Sequence, residues 1–88
     1  MASKPLTISG YEWRLKKYFE ILYEKGMHYS IKVSFFREIW DLDRIGYGRL
    51  YEAFRKLYRK GILIRPIVNG KEITGSYKWN PEYEKKRK

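Results

Sequence analysis

The chain contains no cysteine, which excludes a disulfide framework and any thiolate metal site. Its single histidine, His28, sits beside Tyr29 with no second soft ligand to join it, so no metal centre is expected. Long hydrophobic runs are also missing. The longest are a few residues, far short of the roughly 20 needed to span a bilayer, so no membrane partner is expected. The opening MASKPLTISG lacks the apolar centre of a signal peptide, and an intracellular, cytoplasmic setting is the expectation. There is no Gly-rich phosphate loop, nucleophile elbow or Ser/His/Asp set. Glu38, Asp41 and Asp43 cluster only where a helix end and a turn would place capping or solvated carboxylates. With 88 residues the core is modest and leaves little room for a concave pocket. No enzyme, cofactor or small-molecule substrate is therefore expected.

Acidic residues are scarce as well: 10 Asp and Glu stand against 20 Lys and Arg, a net charge of +10. The distribution is more informative than the total. Residues 44–65 hold Arg44, Arg49, Arg55, Lys56, Arg59, Lys60 and Arg65 against Glu52 alone, while residues 10–43 are nearly balanced. Charge gathered on one element points to a polyanionic partner, most often nucleic acid. An aromatic content of 18% compensates for small size, because each ring buries much area per residue ordered.

Gly46 to Gly61 reads GYGRLYEAFRKLYRKG, with Leu50, Ala53, Phe54, Leu57 and Tyr58 at the spacing of one apolar helical stripe. Gly48, Glu52, Arg55 and Arg59 fall opposite, Lys56 lies beside them, and Arg49 and Tyr51 flank the stripe. Gly61 suits a left-handed helix stop, and Ile62-Leu63-Ile64 then reads as a strand. Upstream, residues 1–8 read as a loose arm. Ser9-Gly10-Tyr11-Glu12 matches a capping box opening a first helix to about Lys25, with Tyr11, Leu15, Tyr18, Phe19 and Leu22 inward and Trp13 and Tyr23 on the flanks. Residues 30–32 suggest a short strand. Ser34 is the expected N-cap of a second helix whose inward face is Phe36, Ile39 and Trp40. A turn over residues 41–46, anchored by Leu42 and Ile45, leads into the basic helix. Beyond it, residues 62–68 and 72–79 read as strands around the hairpin signal Asn69-Gly70, interrupted by Pro66 and Gly75, with Ile73, Tyr77 and Trp79 on one face. Pro81 is expected to stop the second strand and leave residues 81–88 as a charged, frayed tail.

The order helix, short strand, helix, turn, helix, strand, wing, strand resembles the winged helix-turn-helix family. The run Leu50-x-x-Ala53-Phe54-x-x-Leu57-x-x-x-Gly61-Ile62-Leu63-Ile64 is similar to that family's recognition-helix-to-wing sequence. The resemblance covers roughly residues 9–80 and implies an α+β fold: three helices, a short strand and a C-terminal two-stranded wing hairpin. Small stand-alone members include regulators of archaea and their viruses and plasmids. The lack of Gln and Cys is compatible with a thermophilic source. The family's mode of action implies sequence-specific binding of double-stranded DNA by a small transcriptional regulator, with helix 47–60 in the major groove and hairpin 62–79 as the wing. On that reading the protein sits on the nucleoid, or in the host cytoplasm if viral. The implied base-contacting residues are Tyr47, Gly48, Arg49, Tyr51, Glu52 and Arg55. Arg44, Arg59, Lys60 and the Ser34 region are implied phosphate contacts, Lys56 is a further DNA-binding candidate, and Asn69 and Lys71 form the wing tip. Many members are homodimers on palindromic sites, with the first helix, arm or tail as the contact. The helix starts Gly46-Tyr47-Gly48 where members often have Ser or Thr, and its wing is less basic than in strong DNA binders.

Several positions carry two readings. Tyr47 and Tyr51 are either core-edge packing or base and sugar contacts. Glu52 either pairs with Lys56 one turn on or accepts from a cytosine amino group. The C-terminal KKRK is either a solvated tail or a further phosphate grip. For the whole chain, the rival to DNA binding is a winged-helix protein-interaction or RNA-binding module within a polymerase or ribonucleoprotein assembly. Exposed aromatics gathered in one patch would favour that rival.

Overall fold

The structure, a computed structural model, describes residues 6–87, apart from the side chains of residues 84, 86 and 87. In order the elements are α1 (Ile8–Glu24), β1 (Ile31–Lys32), α2 (Val33–Ile39), α3 (Arg44–Arg59), β2 (Leu63–Ile64), β3 (Ile67–Val68), β4 (Lys71–Glu72), β5 (Ser76–Trp79) and α4 (Pro81–Arg87). The chain is α+β, with four helices and small antiparallel sheets among the described residues, rather than the three helices expected.

α1 begins earlier than its capping-box signature suggested. Leu6 packs against the core and donates its N–H to the Tyr11 hydroxyl at 3.2 Å, which brings Thr7 to the helix start. Thr7, not Ser9, is the N-cap, its Oγ1 accepting from the Gly10 N–H at 3.1 Å. Glu12 is thereby free for a distant partner and accepts from Lys60 Nζ at 2.9 Å, tying α1 to α3. Residues 6–8 belong to the folded body, and residues 1–5 of the expected arm lie outside the described residues. At the other end Gly26 (φ 81°) lets the Met27 N–H reach Leu22 O, a left-handed stop of the Schellman kind. Gly61 (φ 76°) ends α3 in the same way, with the Ile62 N–H on Leu57 O.

β1 runs straight into α2, so Ser34 is not the cap. The N-cap is Lys32, which makes no side-chain bond there, and the Val33 N–H donates to Gly75 O at 2.9 Å. A strand neighbour thus satisfies a donor that a capping side chain would otherwise serve. Val33 and Phe36 face inward, Trp40 is half-buried, and Ile39, expected inside, is exposed. α3 starts at Arg44, three residues before the expected 47. Asp43 supplies its cap, accepting from the Gly46 N–H at 2.8 Å. Ile45 consequently sits on the helix surface, 58% exposed, instead of anchoring the turn.

The core lies where α1, α3 and β5 meet. Phe36 is its hub: its ring packs against Tyr18 (5.0 Å), Trp40 (5.0 Å), Phe54 (5.6 Å) and Phe19 (5.9 Å). Phe54 continues the chain of rings onto Tyr77 at 4.9 Å. Such pairs add about 0.5–1.5 kcal/mol each beyond area burial. β5 is the central strand, flanked by β1 (Ile31 opposite Tyr77) and β2 (Leu63 opposite Trp79), both antiparallel.

β3 and β4 form a separate short ladder around Asn69 (φ 53°) and Gly70 (φ 78°), the two left-handed residues of a type I′ hairpin. The two long strands expected over 62–68 and 72–79 are therefore four fragments, broken near Pro66 and Gly75. Tyr77 and Trp79 are buried, whereas Ile73, at 38% exposure, is not part of the core.

The segment expected to be a frayed tail opens instead as α4. Asn80 Oδ1 accepts from the Glu82 N–H at 3.0 Å, Pro81 takes the first helical position, and Tyr83 packs edge-on against Trp79 at 5.4 Å. Asn80 Nδ2 also donates to Gly61 O at 2.7 Å, fixing the start of α4 to the end of α3. Among the described residues, no helix is long and apolar enough to cross a membrane.

Candidate functional site

Packing decides which face of α3 is available. Gly46, Leu50, Ala53, Phe54 and Leu57 are buried, so the opposite stripe is presented outward. Arg44, Gly48, Tyr51, Arg55 and Arg59 follow one another along it at intervals of three or four residues, and all are exposed. Nothing lies within 4 Å of where a Gly48 side chain would be, leaving backbone open at the middle of the face. Glu52 is the acidic residue beside this row and pairs with Arg55 at 3.4 Å. The expected pair between Glu52 and Lys56 is not formed. Lys56 turns toward α1 and stands 4.0 Å from Glu12, next to the Lys60 pair.

The flanks of α3 are engaged by the body. Arg49 Nη1 donates to Leu6 O at 3.1 Å, tying it to the segment before α1. Tyr47 is half-buried beneath the Arg37 guanidinium, 4.9 Å from its ring centroid, and its ring lies 6.4 Å from Tyr51. Tyr47 thus belongs to the core edge and Tyr51 to the surface. Asn69 and Lys71 are exposed at the hairpin tip.

Ser34 is not brought to this face. It lines a mainly apolar basin of about 470 Å³ with Tyr18, Leu22, Tyr29, Ile31 and Phe35.

Three residues absent from the expected site complete the ground between α3 and the hairpin. Tyr58 Oη donates to Glu72 Oε1 at 3.0 Å, a tie between helix and β4. That bond to a carboxylate, followed by desolvation, raises the Tyr58 phenol above its ordinary pKa of 10.0. Arg65, just past β2, lays its guanidinium 4.4 Å from the Tyr58 ring centroid and 5.8 Å from that of Tyr77. The Tyr77 phenol raises the pKa of Arg65, against the opposing effect of burial. The sequence signal for Arg65 was its place as the cation of residues 44–65 lying beyond the helix and its cap. No group of His, Cys, Asp and Glu able to hold a metal ion occurs among the described residues. Chemically the surface offers guanidinium forks, one ammonium, phenol rings and open backbone, a set suited to anion recognition and stacking. No protein-family model, curated protein or solved structure matches this chain.

Proposed function

We propose that this chain is a winged helix-turn-helix domain that binds double-stranded DNA as a small transcriptional regulator, without catalysis. α3 enters the major groove, and the β3–β4 hairpin is the wing reaching the neighbouring backbone. The observation that carries the reading is the exposed row Arg44, Gly48, Tyr51, Arg55 and Arg59 along about four turns of one helix, with Glu52 as its acidic neighbour. Cations at that spacing follow a groove wall, and open backbone at Gly48 permits close approach. Arg49, Lys56 and Lys60, held by Leu6 and Glu12, act at the rim instead of reading bases.

Fluorescence anisotropy of a labelled random-sequence duplex across a salt series tests this. If Arg44 and Lys71 each neutralise a phosphate and Arg55 and Arg59, one turn apart, share a third, the log–log slope is about −2.7. Affinity then falls about 40-fold between 50 and 200 mM salt. Selection from a random library would next supply the preferred site. Weak binding with no salt dependence would overturn the proposal.

A second reading, a protein- or RNA-interaction module, is favoured by one observation. Trp13, Tyr29, Phe35 and Ile39 are exposed on α1, α2 and the segment between them. A light-scattering mass of one chain, with and without DNA, would remove the homodimer expected under the DNA-binding reading.

A further inference from the structure

Arg55 and Arg59, one turn apart on α3, and Arg65, after β2, converge with Tyr58 around a single concavity of about 200 Å³. Three guanidinium groups lining one small basin repel one another, and the two nearby carboxylates offset them only in part. Glu52 reaches Arg55 at 3.4 Å with both side chains about half exposed, and Glu72, which accepts from the Tyr58 hydroxyl, favours the Arg65 charge without forming an ion pair with it. Arg65 cannot swing away freely. Its guanidinium is stacked on Tyr58, and its Nε is buried without a protein partner. One held guanidinium and two exposed ones around a basin of several water volumes are an arrangement that a tetrahedral oxyanion satisfies with bidentate hydrogen bonds.

We propose that Arg55, Arg59 and Arg65, with Tyr58 as the wall between them, form a phosphate-binding cup at the root of the β3–β4 hairpin, filled on DNA by one backbone phosphodiester. The DNA source of the phosphate rests on the function proposed above; the cup itself does not. Arg55 is then a clamp on the backbone instead of a reader of guanine. The Tyr58–Glu72 bond keeps the hairpin root, and with it Arg65, beside α3. Glu52 acts as an internal competitor that the phosphate displaces from Arg55.

The test is a titration of the full chain with pyrophosphate at constant ionic strength, following arginine side-chain Nε–H signals by NMR. Arg55, Arg59 and Arg65 should shift together and saturate with one dissociation constant, while Arg14, Arg44 and Arg49 move little. Linear, unsaturated shifts of similar size at all arginines would overturn the cup. Arg55→Ala and Arg59→Ala alter exposed side chains and leave the Arg65–Tyr58 stack in place, so they remain informative if Arg65→Ala fails to fold. Each should weaken pyrophosphate binding about tenfold or more, and Glu52→Gln should tighten it about two- to fivefold. Unchanged affinity in both arginine variants would refute the assignment. A parallel titration with a short duplex separates the source. If DNA binds and moves the same three signals, a phosphodiester fills the cup. If pyrophosphate saturates them and DNA does not, the cup stands and its DNA assignment falls.

Discussion

Gly46 and Gly48 stand two residues apart in α3, and adding one methyl group to each should change stability in opposite directions. In a helix, Gly→Ala is favourable by about 0.5–1 kcal/mol because the unfolded chain loses freedom. At Gly48 that term acts alone, since a Cβ meets nothing within 4 Å. At Gly46 a Cβ would lie 3.2 Å from the Tyr11 hydroxyl and 3.3 Å from Asp43 Oδ1. Neither neighbour yields cheaply. Tyr11 is only 1% exposed, its oxygen accepts from the Leu6 N–H, and its ring stacks on Trp40. Asp43 Oδ1 is the acceptor of the α3 cap. Weakening that cap costs about 1 kcal/mol, and overpacking a closed site costs about 1–3 kcal/mol.

Gly46→Ala should therefore lose about 1–3.5 kcal/mol net, and Gly48→Ala should gain up to about 1 kcal/mol. At about 4–8 °C per kcal/mol for a domain of this size, Tm should fall by about 5–25 °C in the first and rise by a few degrees in the second. Urea denaturation with unchanged m-values is the assay. A Gly46→Ala protein as stable as Gly48→Ala would refute the packing argument. The pair also separates structure from function: Gly48→Ala should weaken DNA binding despite its added stability, because its methyl group fills the open point of the outward face.

Other expectations follow from single contacts. Tyr58 should titrate above its ordinary 10.0 by ultraviolet difference absorbance, and Glu72→Gln should bring it down. Because the folded pKa is the higher one, the stabilisation is fully present below pH ~10 and is lost as pH rises through the folded value. Denaturation midpoints at pH 8 and pH 11 would reveal a Tyr58→Phe protein less sensitive to that rise. Glu12→Gln should cost at most about 1 kcal/mol at low salt and less at 1 M, since Lys60 and Lys56 are half-exposed partners. A chemical denaturation series at two salt concentrations checks it, and an effect that grows with salt would contradict it. Removing residues 81–88 should expose Trp79, now 5% exposed beneath Tyr83, and red-shift tryptophan emission. An unchanged spectrum would mean that α4 does not shield it.

The buried stripe of α3, its Gly61 stop and the Asn69-Gly70 turn were readable because each rests on local chemistry with one good solution. Starts of elements were less readable, because tertiary contacts chose among several local candidates. Ser9 and Ser34 both had the right chemistry for caps. Leu6 docking moved the first start to Thr7, and Gly75 O supplied the second from a distant loop. Asn80-Pro81 looks the same whether it stops a strand or starts a helix, and Trp79 is what gives Tyr83 something to pack on. Of the candidate site, Gly48, Arg55 and Arg59 of the outward row followed from helical periodicity, whereas Arg44 joined it because α3 starts before the expected turn ends, and Tyr51, expected on the flank, faces outward. Arg65 and Glu72 joined it only through folding of the hairpin back beside Tyr58, which no spacing encodes.

The position of β5 has a consequence for how the protein is made. The strand that both other sheet strands need is the last of them to leave the ribosome, and β1 waits for a partner about 45 residues downstream. Until Ser76–Trp79 emerges, Val33 lacks its acceptor and Phe54 lacks the Tyr77 ring. Helices can form and associate early, but the sheet closes only through its longest-range pairings, whose loop entropy is paid late. A nascent chain halted before residue 76 should thus remain a loose helical intermediate, sensitive to proteases. Commitment to the folded state then waits for the emergence of β5, and the outward surface on α3 is assembled early but stiffened last.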